Sequence, residues 1–303
     1  MKAFVQYLTI AVSLGVFACA PHSFAADTLR VITFNVKVDF EEEPGIPTWD
    51  ERKPLALQAL KEAKPDLLGL QECSPNQLAF FRESFPNFAD IGELKLTDED
   101  QAYFFTTFPI LKQIGFTSYT DDILMYDKER FELVDHGYSW LSPTPEKPST
   151  GFGNAFPRMM IWATLRDTTS GFEFLASVTH FDNSMPAQVE MARLSHEILA
   201  PYADKGLPML FLGDFNTDYE RGDYAKLTSS GWKDSYLVSP KASENGLDNN
   251  VVTMTNNRRI DHIFYHGAAF TPLEWRRLDS PDPAQPQISD HWPVLAVFEV
   301  GKP

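Results

Sequence analysis

An acid and an amide stand two residues apart behind an apolar run: Asp214 and Asn216 follow residues 208–212 and Gly213. On an extended backbone, alternate side chains share a face, so this spacing aims a negative acceptor and a neutral donor/acceptor at one point. Gly213 would let a ligand approach closely. Such a pair can hold an attacking water and a phosphoryl oxygen. The alternative is a strand that simply runs into an Asp/Asn turn. Similar endings recur along the chain. Asn35 follows residues 32–34, Glu72 follows 67–71, His180 and Asp182 follow 175–179, Asp261 and His262 follow 259–260, and Asp290 with His291 precedes Trp292. One such ending is ordinary capping; six drawn from Asn, Asp, Glu and His point to strand ends converging on one pocket. Carboxylates and amide oxygens dominate and no thiolate cluster exists, so a hard cation fits best: Mg²⁺, with Mn²⁺ or Ca²⁺ as alternatives. His180 and Asp182 could instead hold a transition metal, but no His-Glu-x-x-His or His-rich run supports that. No Walker loop, dinucleotide fingerprint or Gly-x-Ser-x-Gly elbow is present.

The elements that must position these groups read as an alternation of strands and helices. Residues 29–36 form a β-rich first strand. Thr48-x-x-Glu51 is a capping box, with Pro54 read in the first helical turn and Pro65 ending the helix. Residues 66–72 are the next strand, and Ser74-Pro75-Asn76-Gln77 opens a short helix to about Phe85. Residues 102–106, 123–126 and 131–140 carry β-branched or aromatic residues and read as strands. Residues 143–153 are a Pro/Ser/Gly surface loop, and 159–166 with 172–179 flank a hairpin turn at 168–171. Residues 186–203 are an amphipathic helix, 223–230 look helical, 241–257 are loop, and 260–265 and 292–300 are closing strands. So many strands need two packed sheets with helices outside, in one domain spanning residues 26–303.

Residues 1–25 stand apart. Lys2, an apolar stretch over 5–20 and Ser23-Phe-Ala25 make a signal peptide with a cleavage site before Ala26. A retained anchor is the weaker reading because the segment is short for a span. A secreted or periplasmic protein with no stable membrane insertion after cleavage is expected. Only Cys73 then remains, in an apolar neighbourhood that suits a small core residue. The chain of 303 residues has a net charge of −16, and the leader carries away a lysine but no acid. Unaided binding to a polyanion works against that field, although bound divalent cations can offset it.

Taken in order, Thr33-Phe-Asn35, Leu70-Gln-Glu72, Thr179-His180-Phe-Asp182, Gly213-Asp-Phe-Asn216, Arg259-Ile-Asp261 and Ser289-Asp-His291 resemble the motifs of the endonuclease/exonuclease/phosphatase superfamily, whose fold is shared with DNase I. The resemblance runs from about Leu29 to Val300, and residues 138–145 and 154–158 further resemble an exported bacterial branch. It implies an α/β fold, a four-layer α-β-β-α sandwich of two mixed sheets with the site at one rim. It also implies Mg²⁺-dependent hydrolysis of phosphate esters. Under this resemblance Glu72 is the principal metal ligand, with Asn35 and Asp290 close by. Asp261 orients His291, Asp214 and Asn216 place the nucleophile and a phosphoryl oxygen, and His180 stands near the leaving group.

The chemistry of these residues supports the same roles. An imidazole backed by a carboxylate can take a proton from water, and a protonated one can assist a departing oxygen. Arg158 offers a planar donor fork for phosphate. Three departures stand out. Lys37 sits where some nuclease members have an acid, which argues against a second metal. Thr120 sits where a glutamate would pair His180, leaving Asp121 or Asp122 to substitute. Asn183 replaces a histidine of many exported members. Phe152, Phe156 and Trp140 are candidates for a substrate rim, and the acidic run 41–43 reads as a solvated turn. The leading expectation is a monomeric exported phosphoesterase acting on a phosphate ester. A secreted nuclease with nucleic acid as partner, a phospholipid phosphodiesterase and a non-catalytic binding module are the alternatives.

Overall fold

The computed structural model describes residues 27–40, 44–218, 221–241, 253, 258–278 and 287–301. The leader, the acidic run 41–43 and most of the 241–257 loop lie outside these described residues. In chain order the elements are β1 (Asp27–Asn35), α1 (Trp49–Ala63), β2 (Leu67–Gln71), α2 (Pro75–Ser84), β3 (Phe88–Ile91), β4 (Leu94–Lys95), α3 (Asp98–Thr107), α4 (Pro109–Gln113) and β5 (Ser118–Tyr119). There follow β6 (Ile123–Asp127), β7 (Phe131–Trp140), β8 (Met159–Asp167), β9 (Glu173–His180), α5 (Met185–Ala203), β10 (Met209–Asp214), α6 (Gly222–Ser229), β11 (Lys233–Asp234), α7 (Ser235–Val238), β12 (Asp261–His266), β13 (Phe270–Arg277) and β14 (Val294–Val300).

Two six-stranded sheets result, in the orders β13-β14-β1-β2-β6-β3 and β11-β12-β10-β9-β8-β7. Both are mixed. β1 and β2 run parallel across α1, β9 and β10 run parallel across α5, and the other pairs are antiparallel. Three apolar layers hold them. Leu29, Val31, Val178, Leu210, Leu212 and Ile263 fill the space between the sheets. Ile32, Phe34 and Leu68 pack outward on α1 and α2, and Leu175 and Phe211 pack outward on α5 and α6. This is the four-layer α-β-β-α arrangement. Its warrant is the period of two: neighbouring strand residues enter different layers. Gly69 sits where the sheets pack tightly, since a Cβ there would lie 3.1 Å from Val178 Cγ2.

Local signals explain most boundaries. Thr48 and Glu51 form the capping box of α1, and Ser74 with Gln77 forms that of α2, each a device of about 1 kcal/mol. Pro54 lies beyond the first turn of α1, inside the helix. There its missing N–H costs the Asp50 carbonyl one partner. Residues 102–106 are helix, not strand. Thr97 and Asp100 form a capping box, three acids occupy the first turn, and the aromatic run buries Phe104 from one helix face. Local capping outweighed β-rich composition. β13 escapes a sequence reading because Pro272 interrupts it. The strand accommodates that proline at the sheet edge, with a bulge between Pro272 and Glu274.

Candidate active site

The period that separates the layers also gathers the polar strand ends. Asn35 continues the inward series Leu29, Val31, Thr33; His180 continues Phe174, Ala176, Val178; Asp214 continues Leu210, Leu212; Asp261 begins the series Ile263, Tyr265. Each therefore emerges between the sheets at the same rim. Register aligns them, with Asp214 opposite His180 on one side and Asp261 on the other.

Asp214 is the meeting point. Its Oδ2 accepts from Asn35 Nδ2 at 3.1 Å and lies 3.3 Å from His180 Nε2 and 3.6 Å from His291 Nε2. Burial would raise its carboxyl pKa, but the His291 and His180 imidazoles and the Asn216 N–H outweigh it and hold the group well below the usual range. Asn216 does not share the extended geometry expected of it. β10 ends at Asp214, and Asn216 adopts a left-handed φ of 52° while its N–H donates to Asp214 Oδ1 at 2.9 Å. This turn delivers the amide to the same place: Asn216 Nδ2 lies 3.3 Å from His180 Nε2 and donates to Phe181 O at 2.9 Å. Gly213 admits no ligand; a Cβ there would be 2.1 Å from Thr179 O, so its small size serves strand packing.

His291 Nδ1 lies 2.9 Å from Asp261 Oδ2, and both residues are buried. Burial alone would lower the imidazole pKa, but Asp261 and Asp214 push it up to about 10. His180 faces two partners with opposite demands. Arg158 Nη1 at 2.8 Å wants Nδ1 as an acceptor, and Asp121 Oδ2 at 3.5 Å wants it as a donor. Burial and Arg158 lower its pKa, yet Asp121 and Asp214 raise it to about 10, so the imidazolium prevails at neutral pH. Arg158 is the partner that must yield. Its Nε is buried without a hydrogen-bond partner among the described residues, and its Nη1 also donates to Asp121 Oδ2 at 3.0 Å.

Of the two candidate partners for His180, Asp121 is the one in contact. Asp122 is fully buried with both oxygens unpartnered among the described residues, and burial with the Asp121 charge pushes its pKa well up. It is a sealed carboxyl that makes no contact with His180. Asp182 turns away: its Oδ2 accepts from Ala155 N at 3.0 Å and its Oδ1 from Ser184 N at 2.9 Å. It braces the loop before β8 and offers no oxygen to a shared cation.

Glu72 follows β2 with a left-handed φ of 54°, its N–H donating to Asp121 Oδ1 at 3.1 Å and its Oε1 accepting from Asn35 Nδ2 at 3.0 Å. Asn35 Oδ1 accepts from Lys37 N at 3.0 Å, so its amide presents nitrogen to the acids; to ligate a cation it must turn over. Asp290 Oδ2 lies 3.9 Å from Lys37 Nζ. Among the described residues, Asp214, Asp261 and His291 place ligand atoms within 4.8 Å of one another, a different set from Asn35, Glu72 and Asp290. Asp261 and His291 are committed to each other, so a cation there would break their bond. The donors of either set are hard or borderline and suit a divalent metal.

A sequence profile of the Endonuclease/Exonuclease/phosphatase family matches residues 32–291, which bracket every one of these groups. The chain belongs to that family. An uncharacterised protein of Acanthamoeba polyphaga mimivirus is 24% identical over 294 residues, covering 89% of this chain and all of the relative. A mannosyl-6-phosphatase from Bacteroides thetaiotaomicron is 27% identical with a TM-score of 0.68, covering 88% of this chain and 98% of that one. An endonuclease/exonuclease/phosphatase family protein from the same species is 24% identical with a TM-score of 0.70, covering 91% and 99%. The two mixed sheets are the DNase I-like fold, and family membership makes the chain a hydrolase of the phosphatase and nuclease superfamily.

This member of the family also uses side chains that its motifs do not announce. Gln188, buried on α5, donates to Asn216 O at 2.9 Å and fixes the left-handed turn. Thr253 Oγ1 accepts from Ile260 N and Asp261 N at 3.0 and 3.1 Å. Ser289 Oγ donates to Asn35 O at 2.8 Å and ties β1 to the His291 segment. Gln188 had one visible signal, a polar residue in the apolar stripe of the α5 helix. His262 does not join Asp261 at the rim; it is buried on Asp234 and Thr217 O. Trp140 is core, not rim; its ring packs on Tyr119 at 4.8 Å.

Proposed function

We propose that this chain is an exported, divalent-metal-dependent phosphoesterase. The observation that carries the reading is Asp214 Oδ2 set among Asn35, His180 and His291 at 3.1, 3.3 and 3.6 Å, with a carboxylate behind each imidazole. Phosphoryl transfer asks mainly for positioning and charge stabilisation, which this cluster supplies. Glu72 and Asp290, with Asn35 turned over, would hold the cation, which when bound polarises a phosphoryl oxygen. Neutralising Asp290 also removes one of the charges that keep the proton on His291.

Asp261 fixes the tautomer of His291, whose Nε2, in the neutral form that is the minor one at neutral pH, takes the proton of a water that Asp214 and Asn216 orient. The water oxygen bonds to phosphorus as the ester P–O bond breaks. The departing oxygen takes its proton from imidazolium His180, and Arg158 moves from His180 to a phosphate oxygen. Lys37 beside Asp290 favours one metal over two. The apolar leader at 1–25 supports export, the relative named a mannosyl-6-phosphatase supports ester chemistry, and the net charge of −16 weighs against a polyanionic duplex as substrate.

The test is release of nitrophenol from mono- and bis-nitrophenyl phosphate. Turnover is expected with Mg²⁺ and is abolished by EDTA. Replacing Glu72 with Gln should raise half-saturating Mg²⁺ by at least roughly tenfold. An unchanged titration means Glu72 is no ligand. Silence on both esters and on plasmid DNA, with every divalent ion tried, would mean a binding module on the same scaffold.

A further inference from the structure

Beside the phosphate-handling groups lies a cavity of about 310 Å³, within the range of small-molecule sites. Its inner end is Glu72, Asp121, Arg158 and Lys37. Its walls are Phe40, Phe108, Ile110, Phe116 and Phe156. Three of these, Phe108, Ile110 and Phe116, come from α4 and the residues that flank it. Phe156 joins the two ends. Its ring lies 4.7 Å from that of Phe108 and stacks on Tyr119 at 6.4 Å and 19°, and Arg158 Cζ stands 5.7 Å from its centroid.

We infer that this cavity receives the organic part of the ester, and that this part is a flat apolar group, an aryl or heteroaryl ring system, rather than a polyol. The inference rests on the phosphoesterase reading. Two features carry it. First, the cavity opens onto the cationic Arg158, so an ester whose phosphate reaches Arg158 has its organic group against aromatic walls. Aromatic faces bind flat rings with a geometric preference that aliphatic walls lack. Second, the polar side chains at the walls are already engaged. Thr120 Oγ1 donates to Cys73 O, Ser74 Oγ accepts from Gln77 N, and Tyr119 Oη bonds Pro157 O at 3.0 Å. Sugar hydroxyls held against these aromatic walls, away from Glu72, Asp121, Arg158 and Lys37, would meet only the Ser74 hydroxyl, so most would lose water without gaining a partner, which is unfavourable.

Ile110 gives the means to test this, because it lines the cavity yet is 46% exposed, so its replacement should not unfold the chain. The probes are 1-naphthyl phosphate, mannose 6-phosphate and dodecyl phosphate with Mg²⁺. Wild type should favour naphthyl over mannose phosphate in kcat/KM by about tenfold or more. Ile110→Asn, which makes the wall polar, and Ile110→Trp, which narrows it, should each shrink that ratio several-fold. A wild-type preference for the sugar or the alkyl chain, or a ratio unmoved by both variants, overturns the inference.

Calorimetry separates this from a failure of the hydrolase reading. Naphthylphosphonic acid should bind more tightly than methylphosphonic acid, and Ile110→Asn should reduce the difference. If no ester is turned over but this binding pattern holds, the cavity assignment stands and the catalytic reading falls.

Discussion

His291→Ala is expected to lower kcat on a nitrophenyl phosphate by roughly 10²–10⁴-fold, the usual range for loss of a positioned proton acceptor. The imidazole has one nitrogen that Asp261 does not occupy. Nδ1 is taken by Asp261 at 2.9 Å, and Nε2 points at Asp214, so every proton it moves passes on the side where water and phosphorus meet. Removing the ring deletes that path and leaves Asp261 buried without its partner. The second effect is structural, so a thermal melt must accompany the kinetics. Asp261→Asn makes the distinction. It preserves shape but weakens control of the tautomer, and it should lower kcat more than it raises KM. A His291→Ala rate within about threefold of wild type at saturating Mg²⁺ would remove His291 from proton transfer. The Asp214 and Asn216 pairing would then have to place water without a base.

Asp234→Asn is expected to destabilise the metal-free fold by about 3–5 kcal/mol, as breaking a buried ion pair does. Asp234 Oδ2 accepts from Arg259 Nη1 at 2.6 Å, from Tyr224 Oη at 2.9 Å and faces His262 Nδ1 at 3.1 Å; its Oδ1 caps α7 through Tyr236 N at 3.0 Å. Asp234, Arg259, Tyr224 and His262 are all buried, with Arg259 Cζ 4.5 Å from the ring centroid of the half-buried Tyr236. The substitution keeps the shape and removes only the charge, leaving a guanidinium out of water opposite an amide.

The pH dependence has a definite sign. Burial raises the Asp234 pKa, but Arg259 and His262 outweigh it and hold the carboxyl well below the usual range. A depressed folded-state pKa gives stabilisation that is present above the unfolded value of about 3.9 and is lost as pH falls toward the folded one. The gap between wild type and variant, read by guanidinium denaturation, should therefore be constant from about pH 7 to 5 and narrow below about pH 4. A gap under about 1 kcal/mol at pH 7 would mean the pair behaves like a solvated one. The cluster also bears on the site, because Arg259 is two residues before Asp261 and anchors the start of β12. Loosening it should cost activity at temperatures where the fold survives.

Much of the site was legible in the residues. Asn35, Glu72, His180, Asp214, Asn216, Asp261, Asp290 and His291 stood out as polar residues ending or flanking apolar runs, and the structure brings them to one rim. The partner of His180 was legible only as a choice between Asp121 and Asp122. These neighbours differ in chain direction, not in type, and only packing shows that one meets the imidazole while the other is sealed behind it. Asp182 also ends an apolar run, yet the backbone amides of Ala155, in the loop before β8, and of Ser184, two residues on, claim its two oxygens. Thr253 and Asp234 act through contacts that no local pattern encodes. Residues 102–106 were misread because their composition is strand-like, whereas the Thr97 cap and one buried aromatic face make them helix.

The chain by itself determined what depends on neighbours in sequence: the caps of α1 and α2, the period of two that sorts side chains between layers, and the placing of acids, amides and imidazoles at strand ends. Only the tertiary structure decided who pairs with whom. Asn35 meets Asp214 across 179 residues, and His291 meets Asp261 across 30. Such contacts depend on strand register and on the closeness of two sheets at Gly69. A shift of one residue would turn every inward side chain outward, and composition is unchanged by that shift.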